Sequence, residues 1–201
     1  MATTIDYYFS PQSPYSYLGH DRLLAVARRA GADIAYRPVD LAKVLAASGG
    51  LPVARRAPSR QSYRMADIAR LADHLGLPLT ADPPGFPTAE APSIALIVAI
   101  EQSGRDPEPV TMALMRAVWV HNQDIGDPGK VAGIAQDMGI PCDILERAAD
   151  SEEVADRCEA FTQEAIDRQV FGAPTYVLGG ERFWGQDRLS ILATRLGIRA
   201  E

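Results

Sequence analysis

Two short segments near opposite ends of the chain carry residues that could do chemistry together. They are Phe9-Ser10-Pro11-Gln12-Ser13-Pro14-Tyr15-Ser16-Tyr17-Leu18 and Val170-Phe171-Gly172-Ala173-Pro174-Thr175-Tyr176. In the first, the apolar run Ile5 to Phe9 reads as a strand, and Leu18, Leu23, Leu24 and Val26 read as the apolar positions of a following helix. Ser13 then stands at the N-cap and Pro14 at the first helical position, where its missing N–H costs nothing. The Ser13 hydroxyl would lie beside unpaired backbone N–H groups and the positive end of the helix dipole, a place suited to an anion such as a thiolate. Simple capping is the competing role for Ser13.

In the second segment a helical pattern ends at Gly172 and a β-rich run begins after Pro174. Proline at the first residue of a strand suits an edge or a tight turn, and a cis bond is allowed there. In that form the N–H and C=O of Ala173 would face outward, able to pair with an extended peptide-like ligand. Gly179-Gly180 reads as a hairpin turn between 175–178 and 182–184. Trp184-Gly185-Gln186-Asp187 then leads into a last helix over 188–196. On spacing alone Asp187 is an N-cap or first-turn acid.

The elements that must position these segments follow from periodicity. A strand over 5–9, a helix over 14–30 and a strand over 33–38, with Gly31 as the break, make a right-handed β-α-β unit with parallel strands. Helical patterns then occupy 60–75, 91–103, 107–122, 128–138 and 151–170, and a β-β-α ending closes the chain. The Pro-rich stretch Asp82-Pro83-Pro84-Gly85-Phe86-Pro87 reads as a rigid loop. The fold class expected is α/β, with a large all-helical insertion.

Composition narrows the chemistry. The 201 residues suit one compact domain, or a domain with one inserted subdomain, and the net charge of −6 argues against nucleic-acid binding because no basic stripe offsets it. Arg55, Arg56, Arg60 and Arg64 form the one local basic concentration, read as a solvated loop and helix face or, alternatively, a site for an anionic small molecule. His20, His74 and His121 make no spaced ligand set, so no metal is expected. Cys142, just before a helix start at Asp143, and Cys158, on the apolar stripe Val154, Cys158, Phe161 and Ala165, form no Cys-x-x-Cys pair. Disulfide exchange is therefore disfavoured, and a working thiol would have to arrive with a ligand. Nothing reads as a targeting or membrane segment, and a cytoplasmic protein is the expectation.

The ordered set of strand, Ser-Pro-x-Ser-Tyr-Leu helix start, helical middle, Phe-Gly-Ala-Pro-Thr, hairpin and Phe-Trp-Gly-Gln-Asp-Arg-Leu resembles the 2-hydroxychromene-2-carboxylate isomerase family over nearly the whole chain. That family is close to the kappa-class glutathione transferases and belongs to the DsbA-like branch of thioredoxin folds. The resemblance implies a discontinuous thioredoxin-like domain over 1–40 and 170–201, with a helical subdomain over 41–169 inserted. It implies glutathione as cofactor, its thiolate stabilised by the Ser13 hydroxyl. Lowering a thiol pKa from about 8.5 to about 6.5 corresponds to roughly 2.7 kcal/mol.

By the same resemblance Ala173, before Pro174, pairs with the cysteinyl backbone of glutathione. Trp184, Gly185, Gln186 and Asp187 receive its γ-glutamyl end, and Arg60 reaches its glycyl carboxylate. The implied reaction is reversible thiolate addition to a conjugated chromene, with bond rotation and expulsion to trans-o-hydroxybenzylidenepyruvate. Asp124 matches a family Asp-Ile pair and reads as structural. Two positions depart from the family pattern: Gly50 stands where an asparagine is usual, and Leu45 where a lysine meets the substrate carboxylate, with Arg55 or Arg56 as substitutes. Relatives of this kind are usually homodimers acting on small aromatic substrates. A kappa-like transferase that conjugates glutathione to electrophiles, and a non-catalytic thiol- or peptide-binding module, are the other readings.

Overall fold

The computed structural model describes residues 3–198. Met1, Ala2 and residues 199–201, which the expected domain bounds include, lie outside the described residues. In chain order the elements are β1 (Thr4–Phe9), α1 (Pro14–Ala30), β2 (Asp33–Pro38), α2 (Leu41–Ser48), α3 (Pro58–Leu75), α4 (Ala91–Gln102) and α5 (Glu108–Trp119). There follow α6 (Pro128–Asp137), α7 (Cys142–Asp150), α8 (Glu152–Asp167), β3 (Thr175–Leu178), β4 (Glu181–Trp184) and α9 (Leu189–Arg195). Short 3-10 turns lie at Val53–Arg55 and Gln186–Arg188.

The four strands form one mixed sheet in the order β2-β1-β3-β4. β1 and β2 are parallel, pairing Thr4 with Asp33 through Phe9 with Pro38, while β3 runs antiparallel to both β1 and β4. Alternation along β1 sends Ile5, Tyr7 and Phe9 to one face and Tyr8 to the other. The first face shares one apolar core with α1, α3, α4, α5 and α9; the second packs Tyr8, Val39 and Val177 against Val44 of α2 and Ala165 of α8. Helix α4 is apolar all round, with Ile94 and Leu96 through Ile100 buried, as expected of a helix enclosed by others. The helices between β2 and β3 therefore share a core with the sheet rather than building a separate one.

The strands and α1 match the sequence expectation closely. Three corrections concern helices, the first being that the one expected over 107–122 ends at Trp119, with Asn122 turning the chain at φ 56°. Residues 41–48 form α2, which periodicity did not indicate, although Asp40 caps it by accepting from the N–H groups of Ala42 and Lys43 and Gly49 ends it at φ 75°. The helix expected over 151–170 ends at Asp167, and Gln169 turns the chain at φ 57°.

Helix α1 lies on the sheet through Gly19. A Cβ there would stand 2.8 Å from Gln186 Cβ and 2.9 Å from the Tyr176 hydroxyl. Gly19→Ala is expected to destabilise the protein by up to about 2 kcal/mol, since overpacking costs about 1–3 kcal/mol and helix propensity returns roughly 1 kcal/mol. Urea denaturation midpoints with unchanged slope check this; a more stable variant would contradict the close approach.

Candidate active site

The turn out of β1 sets the first element of the site. The Ser13 N–H donates to Ser10 O at 3.0 Å, and Pro14 starts α1 with no donor to satisfy. Ser13 is the N-cap, its hydroxyl accepting from the Ser16 N–H at 3.2 Å, so capping is real. The same hydroxyl donates to the Ala173 carbonyl at 3.4 Å, a long contact at the limit of a hydrogen bond. The Ala173–Pro174 bond is cis. Thr175 donates its hydroxyl to Gly172 O at 2.7 Å and Gly185 its N–H to Pro174 O at 2.9 Å, fixing the corner from both sides. The two sequence segments are thus in contact, joined at Ser13 and Ala173.

Both residues line a cavity of about 320 Å³, within the range of small-molecule sites. Leu41, Ala42 and Leu45 of α2 form one wall, Phe86, Pro87 and Thr88 another, and Phe171 and Trp184 stand at its edge. Trp184 is 52% exposed and meets Phe171 edge-on at 4.8 Å between ring centres. The wall at 86–88 is tied to the serine turn: Gln12 accepts from the Thr88 N–H at 3.0 Å and donates to its carbonyl at 3.0 Å. The Thr88 hydroxyl donates to Asp124, which also accepts from the Gly126 N–H at 2.8 Å. These bonds hold the Asp124 carboxyl below the usual range and give it the structural role expected.

Glu90 also lines the cavity. It is buried, accepts from the Ser10 hydroxyl and, at 3.4 Å, from the Leu41 N–H. Burial raises its carboxyl to about 7 despite hydrogen bonds from Ser10, Gln12 and Leu41 that favour the ionised form. Nothing in the spacing of the sequence marked it.

The remaining predicted residues divide. Arg56 lines the cavity, its Nε donating to Leu51 O at 2.8 Å. Arg55 and Arg60 are exposed and outside the lining. Arg64, grouped with them as a candidate solvated face, is instead buried and lines the cavity. Its signal was present, because Arg64, Ile68 and Ala72 lie four apart and are the buried residues of α3.

Pro174 and Gly185 lie just beyond the lining, behind Ala173 and Trp184. Gln186 is buried but turned away, its side chain and carbonyl accepting from Arg22 of α1. Asp187 is exposed and pairs with Arg188 at 2.8 Å. Cys142 is exposed at the start of α7, and Cys158 of α8 is half-buried, its thiol raised to about 11 by burial; neither lines the cavity. Among the described residues no cluster of metal-ligating side chains occurs, and no helix is long and apolar enough to cross a membrane.

The two departures at 45 and 50 are physically linked. Leu45 fills the wall, and a Cβ at position 50 would lie 2.5 Å from Leu45 Cδ2 and 3.3 Å from its Cα.

Comparison with known proteins agrees with this architecture. The model of the DSBA-like thioredoxin domain matches residues 4–197. A 2-hydroxychromene-2-carboxylate isomerase from Sphingobium xenophagum is 34% identical over 198 residues, covering 98% of this chain and 99% of that protein. One of the same name from Pseudomonas putida is 32% identical over 196 residues, covering 96% and 94%. A solved 2-hydroxychromene-2-carboxylate isomerase superposes with a TM-score of 0.81 at 30% identity, covering 96% of this chain and 94% of the other.

Proposed function

The chain belongs to the 2-hydroxychromene-2-carboxylate isomerase family of DSBA-like thioredoxin domains, and from that premise we propose that it isomerises 2-hydroxychromene-2-carboxylate, or a related intermediate of aromatic breakdown, with glutathione as cofactor. The observation that carries the reading is Ser13, 4% exposed at the head of α1, whose hydroxyl lies 3.4 Å from the Ala173 carbonyl on a cavity of ligand size.

The residues present fit a bound thiol. The Ser13 contact to Ala173 is long enough to be exchanged for a stronger, charge-assisted bond. The N–H groups of the first turn of α1 and its dipole add to that stabilisation. Glutathione, when bound, supplies a thiolate that adds reversibly to a conjugated substrate. Ser13 keeps that sulfur ionised, and the Ala173 backbone, before Pro174, aligns the tripeptide. Trp184 covers the edge, and Gly185 and Asp187 follow it toward the γ-glutamyl end, with Gln186 between them held by Arg22. Asp187 must exchange its Arg188 partner to meet the amino group. Arg60 stands one helical turn before Arg64 on α3, where it can reach the glycyl carboxylate from outside the cavity. The apolar walls from α2 and 86–88 exclude water from the aromatic partner.

The test is turnover of 2-hydroxychromene-2-carboxylate by the purified protein with and without glutathione, with products separated by chromatography. The expected result is glutathione-dependent conversion to the ring-opened isomer, with glutathione recovered unchanged. A stable conjugate would instead make the protein a transferase, and absence of conversion in both conditions would remove the isomerase reading.

A further inference from the structure

A guanidinium buried in an apolar wall is costly unless an anion meets it. Arg37 illustrates the usual remedy in this protein, lying 3.5–3.9 Å from Asp6, Glu101 and Glu164. Arg64 has no such arrangement. It is 7% exposed, lines the cavity and sits with its guanidinium carbon 5.0 Å from the centre of the Phe86 ring. Among the described residues it has no ion pair. Asp67, on the same helix, is occupied by the Tyr15 hydroxyl at 3.1 Å and by Arg70 at 3.5 Å. Arg56 lines the same cavity, and burial together with its like charge pulls the Arg64 guanidinium below its usual value. Two cations thus face one largely apolar space whose one acid among the described residues, Glu90, is already engaged by the Ser10 hydroxyl and the Leu41 N–H and forms no ion pair with either.

We propose that Arg64, assisted by Arg56, binds the carboxylate of an aromatic acid in this cavity, the ring lying against Phe86, Pro87 and Leu45. Guanidinium matches a planar carboxylate in geometry as well as charge. The surrounding wall favours an aromatic ring over a peptide, whose amides would lack partners there. Helix α2 offers only Leu41, Ala42 and Leu45 to the cavity, so the positive charge of the cavity comes from Arg64 of α3 and from Arg56, which follows the 3-10 turn. The proposal rests on the cavity being the substrate chamber of the isomerase and assigns the group that selects acids for it.

The experiment is calorimetric titration of the full chain, without glutathione, with trans-2-hydroxycinnamate and with its uncharged amide. The wild-type protein should bind the acid at least about tenfold more tightly than the amide, as a charged hydrogen bond in a sheltered site implies. Equal affinities would overturn the proposal without any variant. Arg64→Met should lose at least about tenfold in affinity for the acid and under about threefold for the amide, with Arg64→Lys recovering part of the loss. Glutathione affinity should stay within about threefold in Arg64→Met. A loss confined to glutathione would assign Arg64 to the glycyl carboxylate and overturn the proposal, as would equal losses for acid and amide. Arg64-dependent acid binding in a protein that fails to turn over the chromene would keep the carboxylate site and remove the isomerase reading, and with it the role of Arg64 as substrate selector. Normal turnover with unaltered acid binding in Arg64→Met would do the reverse.

Discussion

Replacing Ser13 with alanine will lower glutathione-dependent turnover at pH 7 by about ten- to hundredfold while the protein stays folded. A thiol of pKa about 8.5 is roughly 3% ionised at pH 7, whereas one at about 6.5 is roughly 76% ionised. Removing the hydroxyl takes away the charge-assisted bond and leaves the helix end to act alone. The deficit should therefore shrink as pH rises past about 9, where the thiol ionises unaided. The same substitution removes the cap that accepts from Ser16, which costs about 1 kcal/mol, so thermal melting must accompany the kinetics. Ser13→Thr keeps both cap and hydroxyl and should retain most activity. Thiolate absorbance of bound glutathione in the ultraviolet reads the effect directly; an unaltered pH profile in Ser13→Ala would take Ser13 out of the chemistry.

The second large effect is on stability. Glu90 is a buried acid whose carboxyl is raised from 4.5 to about 7 by loss of solvent, with Asp40 adding to the rise. The native state therefore binds a proton that the unfolded chain has already released between these values. The resulting stabilisation is complete below about pH 4.5 and is lost as pH rises through about 7. The span corresponds to about 3 kcal/mol. Glu90→Gln, which carries no titrating group but still accepts from Ser10, should gain on the wild type as pH increases. Its advantage in urea denaturation should grow by up to about 3 kcal/mol between pH 5 and pH 8. A gap that stays constant with pH would show that Glu90 ionises as freely in the folded protein as in the unfolded chain.

Local signals were legible in the sequence, and burial produced by distant layers was not. β1, β2, β3 and α1 were readable because alternation, an N-cap serine followed by proline, and Gly31 act within a few residues. Ser13 and Ala173 were readable for the same reason, being set by punctuation at the ends of elements. Helix α2 leaves little periodic signal because it is short and buries only Val44 fully, with Leu41, Ala42 and Leu45 lining the cavity. Glu90 looks like any surface acid until Ser10 and α2 close over it. Arg64 was hidden by its neighbours Arg55, Arg56 and Arg60, although its spacing to Ile68 and Ala72 placed it on the inner face of α3. Gln186 illustrates the opposite case, where the right neighbourhood held a side chain already engaged by Arg22.

The contact between Leu45 and position 50 has a consequence for how such a chamber can diversify. Any residue larger than glycine at 50 must first displace a leucine side chain whose nearest atom would be 2.5 Å away. Because that nearest atom is the tip of a side chain that can rotate, a larger residue at 50 and a change of rotamer or residue at 45 are coupled adjustments of one wall. Preference for one ring system over another would then shift by a paired step at 45 and 50 rather than by either alone.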